Sequence, residues 1–362
     1  MRGLPRTNFL QTFKKQYFSK VMNQNKFYET IIIGAGPAGL SAAKTLAKQN
    51  KKVLVLEKNS EFGKKICAGG LTQKDINYFN IPISICDKSF NSAKIIVYRK
   101  IINLNQNEPY LYTVEREKLG SYLAEQAKKS GATILTSTKV ISIQKNSLNT
   151  EKESYQFKYL IGADGANSLV RKFLKIPTTK LATTMQVRTN KLFKDFEIKI
   201  DTKLFGPHYA WIFPHQNHTR FGTATDQKYF SISKLRNNFF EWLNKNGITE
   251  KNIESFPINY DYRGMKFNNF FLIGEAGGFT NGLTGEGIFG ALLSGQEAAK
   301  KIIDPNYKYS EKFNRLLEQK KFCEKFISLY KIKPMISLLY RLLPYYLRNE
   351  NRKEKVINYF TK

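Results

Sequence analysis

Two apolar patterns alternate along the chain. Residues 30–33, 53–56, 157–161 and 270–273 are short runs rich in β-branched or aromatic side chains, the pattern of buried strands. Residues 115–130 instead place Leu119, Tyr122, Leu123 and Ala127 at helical spacing, and Ile288, Ala291, Leu292 and Ala299 repeat that pattern near the end. Segments 93–114, 132–144 and 183–225 predict further strands, with a polar hairpin at 145–156 and a helix over 231–246. Within 183–225, Tyr209, Trp211 and Phe213 alternate, which puts all three on one face of a strand that Pro214 helps to end. Residues 311–347 predict helix with interruptions at Pro334 and Pro344. Inside them MISLLYRLLPYYL is apolar nearly all round and flanked by Lys331, Lys333, Arg341 and Arg348, which suits either a membrane interface or a helix covering the β-rich part. The order of elements predicts an α/β fold in which a β-rich segment is inserted between pieces of one domain, followed by a C-terminal helical segment.

The first two apolar runs bracket Gly34-Ala35-Gly36-Pro37-Ala38-Gly39 and a helix-like segment, and the second run ends on Glu57. This strand–turn–helix–strand order belongs to dinucleotide-binding units. Gly34 permits the tight turn, Gly36 lets backbone approach a pyrophosphate, and Gly39 lets helix and strand pack closely. The helix N-terminus offers unpaired N–H groups and partial positive charge to the phosphates, and Glu57 stands at the separation of a carboxylate that accepts ribose hydroxyls. Gly285, Gly287 and Gly290 repeat the glycine spacing, but an Asn-Gly-Leu-Thr loop precedes them instead of a strand. No separate nicotinamide-binding unit is therefore predicted, so NAD(P)H docks transiently or electrons come from another carrier.

Among 362 residues, 59 Lys and Arg face 29 Asp and Glu, a formal charge of +30. Such a surface suits anionic partners. No nucleic-acid-binding signature accompanies it, so an anionic membrane surface is the expected partner and nucleic acid is not. Cys67, Cys86 and Cys323 show no paired spacing, which points to a reducing, cytoplasmic setting without structural zinc or an Fe–S cluster. His208, His215 and His218 are the only histidines, close together but without a ligand motif, and no metal is expected. Residues 1–28 hold no acidic residue and six basic ones, as in an organelle presequence or a short basic lead-in. No run of about 20 apolar residues predicts a spanning helix.

Four pieces then line up in order: GAGPAG at 34–39, CAGGL at 67–71, GADGANS at 162–168 and GEAGGFTNGLTGEGI at 274–288. Together they resemble the FAD-containing family that includes geranylgeranyl reductases, whose broader fold is shared with aromatic-ring flavin hydroxylases of the p-hydroxybenzoate hydroxylase type. YAWIFPH at 209–215 is similar to the Tyr-x-Trp-x-Phe-Pro signature of the reductases. The resemblance covers most of residues 29–303. It implies a Rossmann-like FAD-binding domain from residues 29–80, 113–175 and 264–303, a β-rich substrate domain from 81–112 and 176–263, a C-terminal helical region over 304–362 and a basic extension over 1–28.

The resemblance also assigns sites. FAD is the dinucleotide on Gly34, Gly36 and Gly39, with Ala38, Glu57 and Lys58 at the ADP half, Arg116 near the pyrophosphate and Val140 against the adenine. Asp164 and Gly165 fall near the pyrophosphate and the approach of an electron donor. Glu275 stands where the family more often has Asp on the ribityl chain, one methylene longer, and Gly282 replaces a frequent Pro. Gly285, Gly287 and Ile288 bring backbone and a positive helix end to the isoalloxazine ring, while Cys67, Ala68 and Gly70 lie on its face. Cys67 would shape the active site or help deliver a proton, and Tyr209, Trp211 and Phe213 would line an apolar cavity for an isoprenoid chain.

The implied activity is FAD-dependent saturation of C=C bonds in geranylgeranyl or related prenyl chains on lipids, with hydride leaving N5 of the reduced flavin. The reductant would be NAD(P)H or another carrier, an electron-donor protein included, and the protein would sit peripherally on a membrane. The rival on the same fold is a monooxygenase that uses NAD(P)H and oxygen; a non-catalytic flavoprotein or membrane-bound binding module is a different class of answer, and a nucleic-acid-binding protein, resting on charge alone, is the third option.

Overall fold

The computed structural model of the chain describes residues 26–361, so most of the basic segment 1–28, and with it the presequence question, lies outside the described residues. At the centre Phe270–Leu272, Ser154–Gly162, Lys26–Ile33, Val53–Leu56 and Thr133–Leu135 lie side by side, each neighbouring pair parallel. Ile32 stands opposite Val55 on one side and Ile161 on the other. Both faces of these strands are covered, which is why their runs are apolar throughout. Helices Pro37–Ala47, Arg116–Lys129 and Ile288–Ile303 close one face around Ile32, Val55 and Ile161. Val140, Leu148 and Val170 close the other around Ile31, Leu54 and Leu160. The first strand starts at Lys26, four residues before the β-branched run, because Lys26 and Phe27 pair with Tyr155 and Gln156 while their side chains stay exposed.

A second, seven-stranded sheet runs Glu254–Asn259, Leu181–Thr189, Thr219–Asp226, Ala210–Pro214, Glu197–Ile200, Ser92–Val97 and Lys100–Asn105. Its pairs are antiparallel except Glu197–Ile200 with Ser92–Val97, where two distant stretches of chain meet in parallel. Helix Ile232–Lys245 packs Phe239, Trp242 and Leu243 into this sheet's core with Phe205 and Phe221. A small sheet of Gly70–Thr72, Leu111–Thr113 and Lys88–Phe90 joins the two layers.

Three helices, Glu311–Ser328, Lys333–Tyr346 and Glu350–Thr361, end the chain. The expected proline interruptions are placed differently. Pro334 lies in the first turn of its helix, where a missing N–H costs nothing. Pro344 lies in the last turn, and Leu347 still donates to the Leu343 carbonyl at 2.9 Å, so the helix runs on through it. No described helix is long and apolar enough to cross a membrane.

Candidate functional site

The Gly34 turn takes φ +102°, and a Cβ there would meet the Ala163 carbonyl oxygen at 2.4 Å. Gly39 sits 2.0 Å, by the same measure, from the Gly34 carbonyl oxygen, so helix and strand touch backbone to backbone. Gly36 differs: it caps the helix with no side-chain hydrogen bond, and a Cβ on it would meet nothing within 4 Å. The first-turn N–H groups thus face open space, the arrangement an anion takes.

Glu57 is buried, but its first task is internal. Oε2 accepts from Ala35 N–H at 2.8 Å, and Oε1 accepts from Asn59 backbone and side chain at 2.9 and 2.8 Å. It fixes the glycine turn and keeps about one lone-pair direction for a hydroxyl. Lys58 beside it is exposed. Val140 opens a strand close by, since Thr138 N–H reaches the Glu57 carbonyl at 2.8 Å. Ala38 is a crossing point: a Cβ on Gly274 would meet the Ala38 Cβ at 2.7 Å, and one on Gly295 its carbonyl oxygen at 2.3 Å.

Arg116 begins its helix, is 5% exposed, and leaves Nε and Nη1 without a partner. A buried guanidinium with idle donors is costly unless an anion completes it. Two carboxylates show the same incompleteness. Asp164 Oδ2 accepts from Leu169 N–H at 2.6 Å while Oδ1 has no partner; burial raises its pKa against those hydrogen bonds. Glu275 Oε1 pairs with Lys65 at 2.5 Å while Oε2 has none, and that oxygen lies 3.8 Å from where a Cβ on Gly165 would stand. Idle donors on Arg116 and idle acceptors on Asp164 and Glu275 match a ligand that carries both phosphate and hydroxyls. These residues fit FAD.

The aromatic face meets the glycine loops around Gly70 and Gly285. A Cβ on Gly70 would strike the Phe213 ring at 2.8 Å, and one on Gly285 would stand 3.8 Å from the Tyr209 hydroxyl. Tyr209 donates to the Thr284 carbonyl at 2.5 Å, and burial, then the Glu286 charge, hold its pKa far above the usual phenol range. Tyr209, Trp211 and Phe213 follow one another at ring separations of 6.0 and 6.3 Å, and Phe213 stacks on Phe196 at 4.0 Å. Gly287 caps helix Ile288–Ile303 without a side-chain bond, and a Cβ on it would stand 3.1 Å from the Thr280 hydroxyl. The Cys67 sulfur is half-buried and accepts from Gly69 N–H at 3.4 Å.

A polar clamp behind the CAGGL loop escapes sequence reasoning. His215 Nε2 faces the Ala68 carbonyl at 3.0 Å and Nδ1 faces Asp87 at 2.8 Å; both partners are acceptors, so the ring satisfies both only with a proton on each nitrogen. Arg220 donates to the Cys67 carbonyl and, at 2.5 Å, to Glu115. Burial would raise the Asp87 pKa, but hydrogen bonds from His215 and Lys118 pull it below the usual carboxylate range. His218 stacks on His215 at 4.5 Å, and burial, then the cations around it, push its pKa down to about 3. Glu115, His215 and His218 bring ligand-type atoms within 4.8 Å of one another, but the Arg220 guanidinium donates to Glu115 and to His218 and supplies the cation there. The one available signal was three histidines in eleven residues, which weighs equally for a metal and for a clamp.

A family profile described as an FAD binding domain matches residues 28–238. An uncharacterised protein of Methanosarcina barkeri is 35% identical over 291 residues, 76% of this chain and 75% of that protein. The chloroplastic geranylgeranyl diphosphate reductase of Arabidopsis thaliana is 27% identical over 317 residues, 77% of this chain and 66% of that one. A solved structure from Thermoplasma acidophilum, described as geranylgeranyl bacteriochlorophyll reductase-like, superposes with a TM-score of 0.70 over 92% of this chain and 91% of its own, at 20% identity, a likeness of fold.

Proposed function

The chain belongs to the FAD binding domain family and is an FAD-dependent oxidoreductase, and from that premise we propose that it saturates C=C bonds of geranylgeranyl-type prenyl chains on lipids or related isoprenoids. The observation that carries this reading is the contact of the Tyr209–Trp211–Phe213 face with both ring-side loops, at Gly70 and at Gly285. Bound FAD, once reduced by NAD(P)H or another carrier, would supply the hydride from N5. The chain's own residues do the rest. Arg116 and the Gly36 helix end take the pyrophosphate, and the idle oxygens of Asp164 and Glu275 accept hydroxyls. The positive helix end at Gly287 would favour negative charge on a ring held beside it.

An isolated alkene accepts hydride poorly, so a proton must reach its other carbon. Trp211 and Phe213 are buried, keep water from the chain, and present π faces to positive charge that develops on the alkene. Cys67 is the proton-bearing side chain of the CAGGL loop, and His215 and Arg220 hold that loop through its carbonyls. The test is anaerobic. The purified yellow protein is reduced with dithionite and mixed with geranylgeranyl lipids, and product masses are followed. A gain of two hydrogens per bond with reoxidised flavin is the expected result. No gain, with substrate-stimulated oxygen uptake from NAD(P)H in air, would assign a monooxygenase instead.

A further inference from the structure

Helix Lys333–Tyr346 has apolar side chains all round, and the fold uses one face of them. Ile336 and Tyr340 enter the core of the seven-stranded sheet. The Tyr340 hydroxyl donates to the Pro207 carbonyl at 2.9 Å, and Ser337 shares a 2.9 Å hydrogen bond with Thr202. The opposite face is left outside. Leu338 and Leu342 are 56% and 51% exposed, and Tyr345 and Tyr346 continue the row one turn on. Exposed Ile332 and Leu339 border it, and so does exposed Ile101, next in sequence to Lys100, whose ammonium donates to the Tyr345 hydroxyl at 2.6 Å.

The rim of this patch is cationic. Lys100 and Arg348 lie 3.8 and 4.7 Å from the centre of the Tyr345 ring, Arg352 lies 4.7 Å from that of Tyr346, and Arg341 lies 5.5 Å from that of Tyr98. Residues 329–349 contain four basic side chains and no acidic one. We propose that this face seats the protein on an anionic lipid bilayer, with the helix lying in the interface plane, Leu338 and Leu342 among acyl chains and the tyrosines and cations at the headgroups. That division of side chains matches the depth profile of an interfacial helix. A second copy is a poor occupant, because a two-fold contact would bring Arg341 and Arg348 against their own equivalents. The inner side of the helix rests on Pro207, two residues before Tyr209, so the bilayer adjoins the segment that leads to the aromatic face. That last link rests on the prenyl reading; the seating on lipid does not.

The test uses the full chain and vesicles of phosphatidylcholine with or without phosphatidylglycerol, sedimented at low and high salt. The substitution pair Leu338→Ser and Leu342→Ser removes apolar area without changing charge, and both positions are exposed, so the fold is kept and circular dichroism checks it. The unsubstituted protein should sediment with anionic vesicles and little with neutral ones, and the pair should lower that partition about tenfold or more. Arg341→Glu with Arg348→Glu should lower it too and flatten the salt dependence. Equal binding by the leucine pair and the unsubstituted protein would assign the attraction to diffuse charge and overturn the proposal. Loss of a dimer in light scattering on the same substitutions would overturn it in favour of a second copy. No turnover is measured, so either result leaves the reductase reading standing or falling on its own assay.

Discussion

Arg116 separates stability from binding more cleanly than any other side chain here, because its buried donors have no partner within the protein. Arg116→Leu should leave the cofactor-free protein as stable or slightly more so, while FAD affinity falls about 10–100-fold by fluorescence titration. The glycines make a matching pair. Gly36→Ala meets no atom and has an ordinary φ of −76°, so it should cost less than about 1 kcal/mol of stability. It should nonetheless weaken FAD binding about tenfold or more, because its methyl group stands where the phosphates come. Gly39→Ala drives a methyl group into the Gly34 carbonyl and should cost about 1–3 kcal/mol before any ligand is added. Cys67→Ala should keep FAD and slow product formation about 100-fold if the thiol moves the proton; unchanged turnover would leave it a packing residue. Gly39 is legible in the sequence because its steric demand, the Gly34 carbonyl, lies in the same turn, and Gly34 and Gly36 are legible through their fixed spacing from it. The clamp of Asp87, Glu115, His215 and Arg220 is not legible, because its members come from three separated stretches that meet only after the sheets pair.

At the scale of elements, strand Ala210–Pro214 is flanked by two buried histidines whose burial lowers their pKa, His208 to about 4 and His218 to about 3. In the unfolded chain a histidine titrates near 6.5, so the unfolded state takes up these protons first. Their contribution to stability is complete above about pH 6.5 and is lost as pH falls toward 4 and then 3. Urea midpoints should drop steadily between pH 7 and pH 5, and His208→Gln should make that drop shallower; an unchanged slope would mean that His208 takes up its proton over the same pH range folded and unfolded. Strands of the central sheet are readable as apolar runs because neighbours cover both faces. The parallel junction of Ser92–Val97 with Glu197–Ile200 is not, since no local pattern states which distant edge a strand will find. Pro344 misleads for a related reason: a proline rule weighs the lost hydrogen bond, while the Tyr340 and Leu347 side chains on either side are both buried.

For the whole molecule, the idle groups at Arg116, Asp164 and Glu275 lead us to propose that the cofactor completes the protein and does more than occupy it. Saturating FAD should raise the melting temperature by about 3–5 °C at a hundredfold excess over Kd, and a calorimetric scan with and without FAD checks this. The cradle also has an order in time. Helix Ile288–Ile303 locks onto Pro37–Ala47 where Ser41 donates to the Leu292 carbonyl at 2.8 Å and Gly295 meets Ala38. The first glycine turn must therefore wait on the ribosome for some 250 further residues before its partner emerges. Cofactor loading should therefore be a late event of synthesis, and a chain cut short before residue 288 should fail to hold FAD and fall to proteolysis.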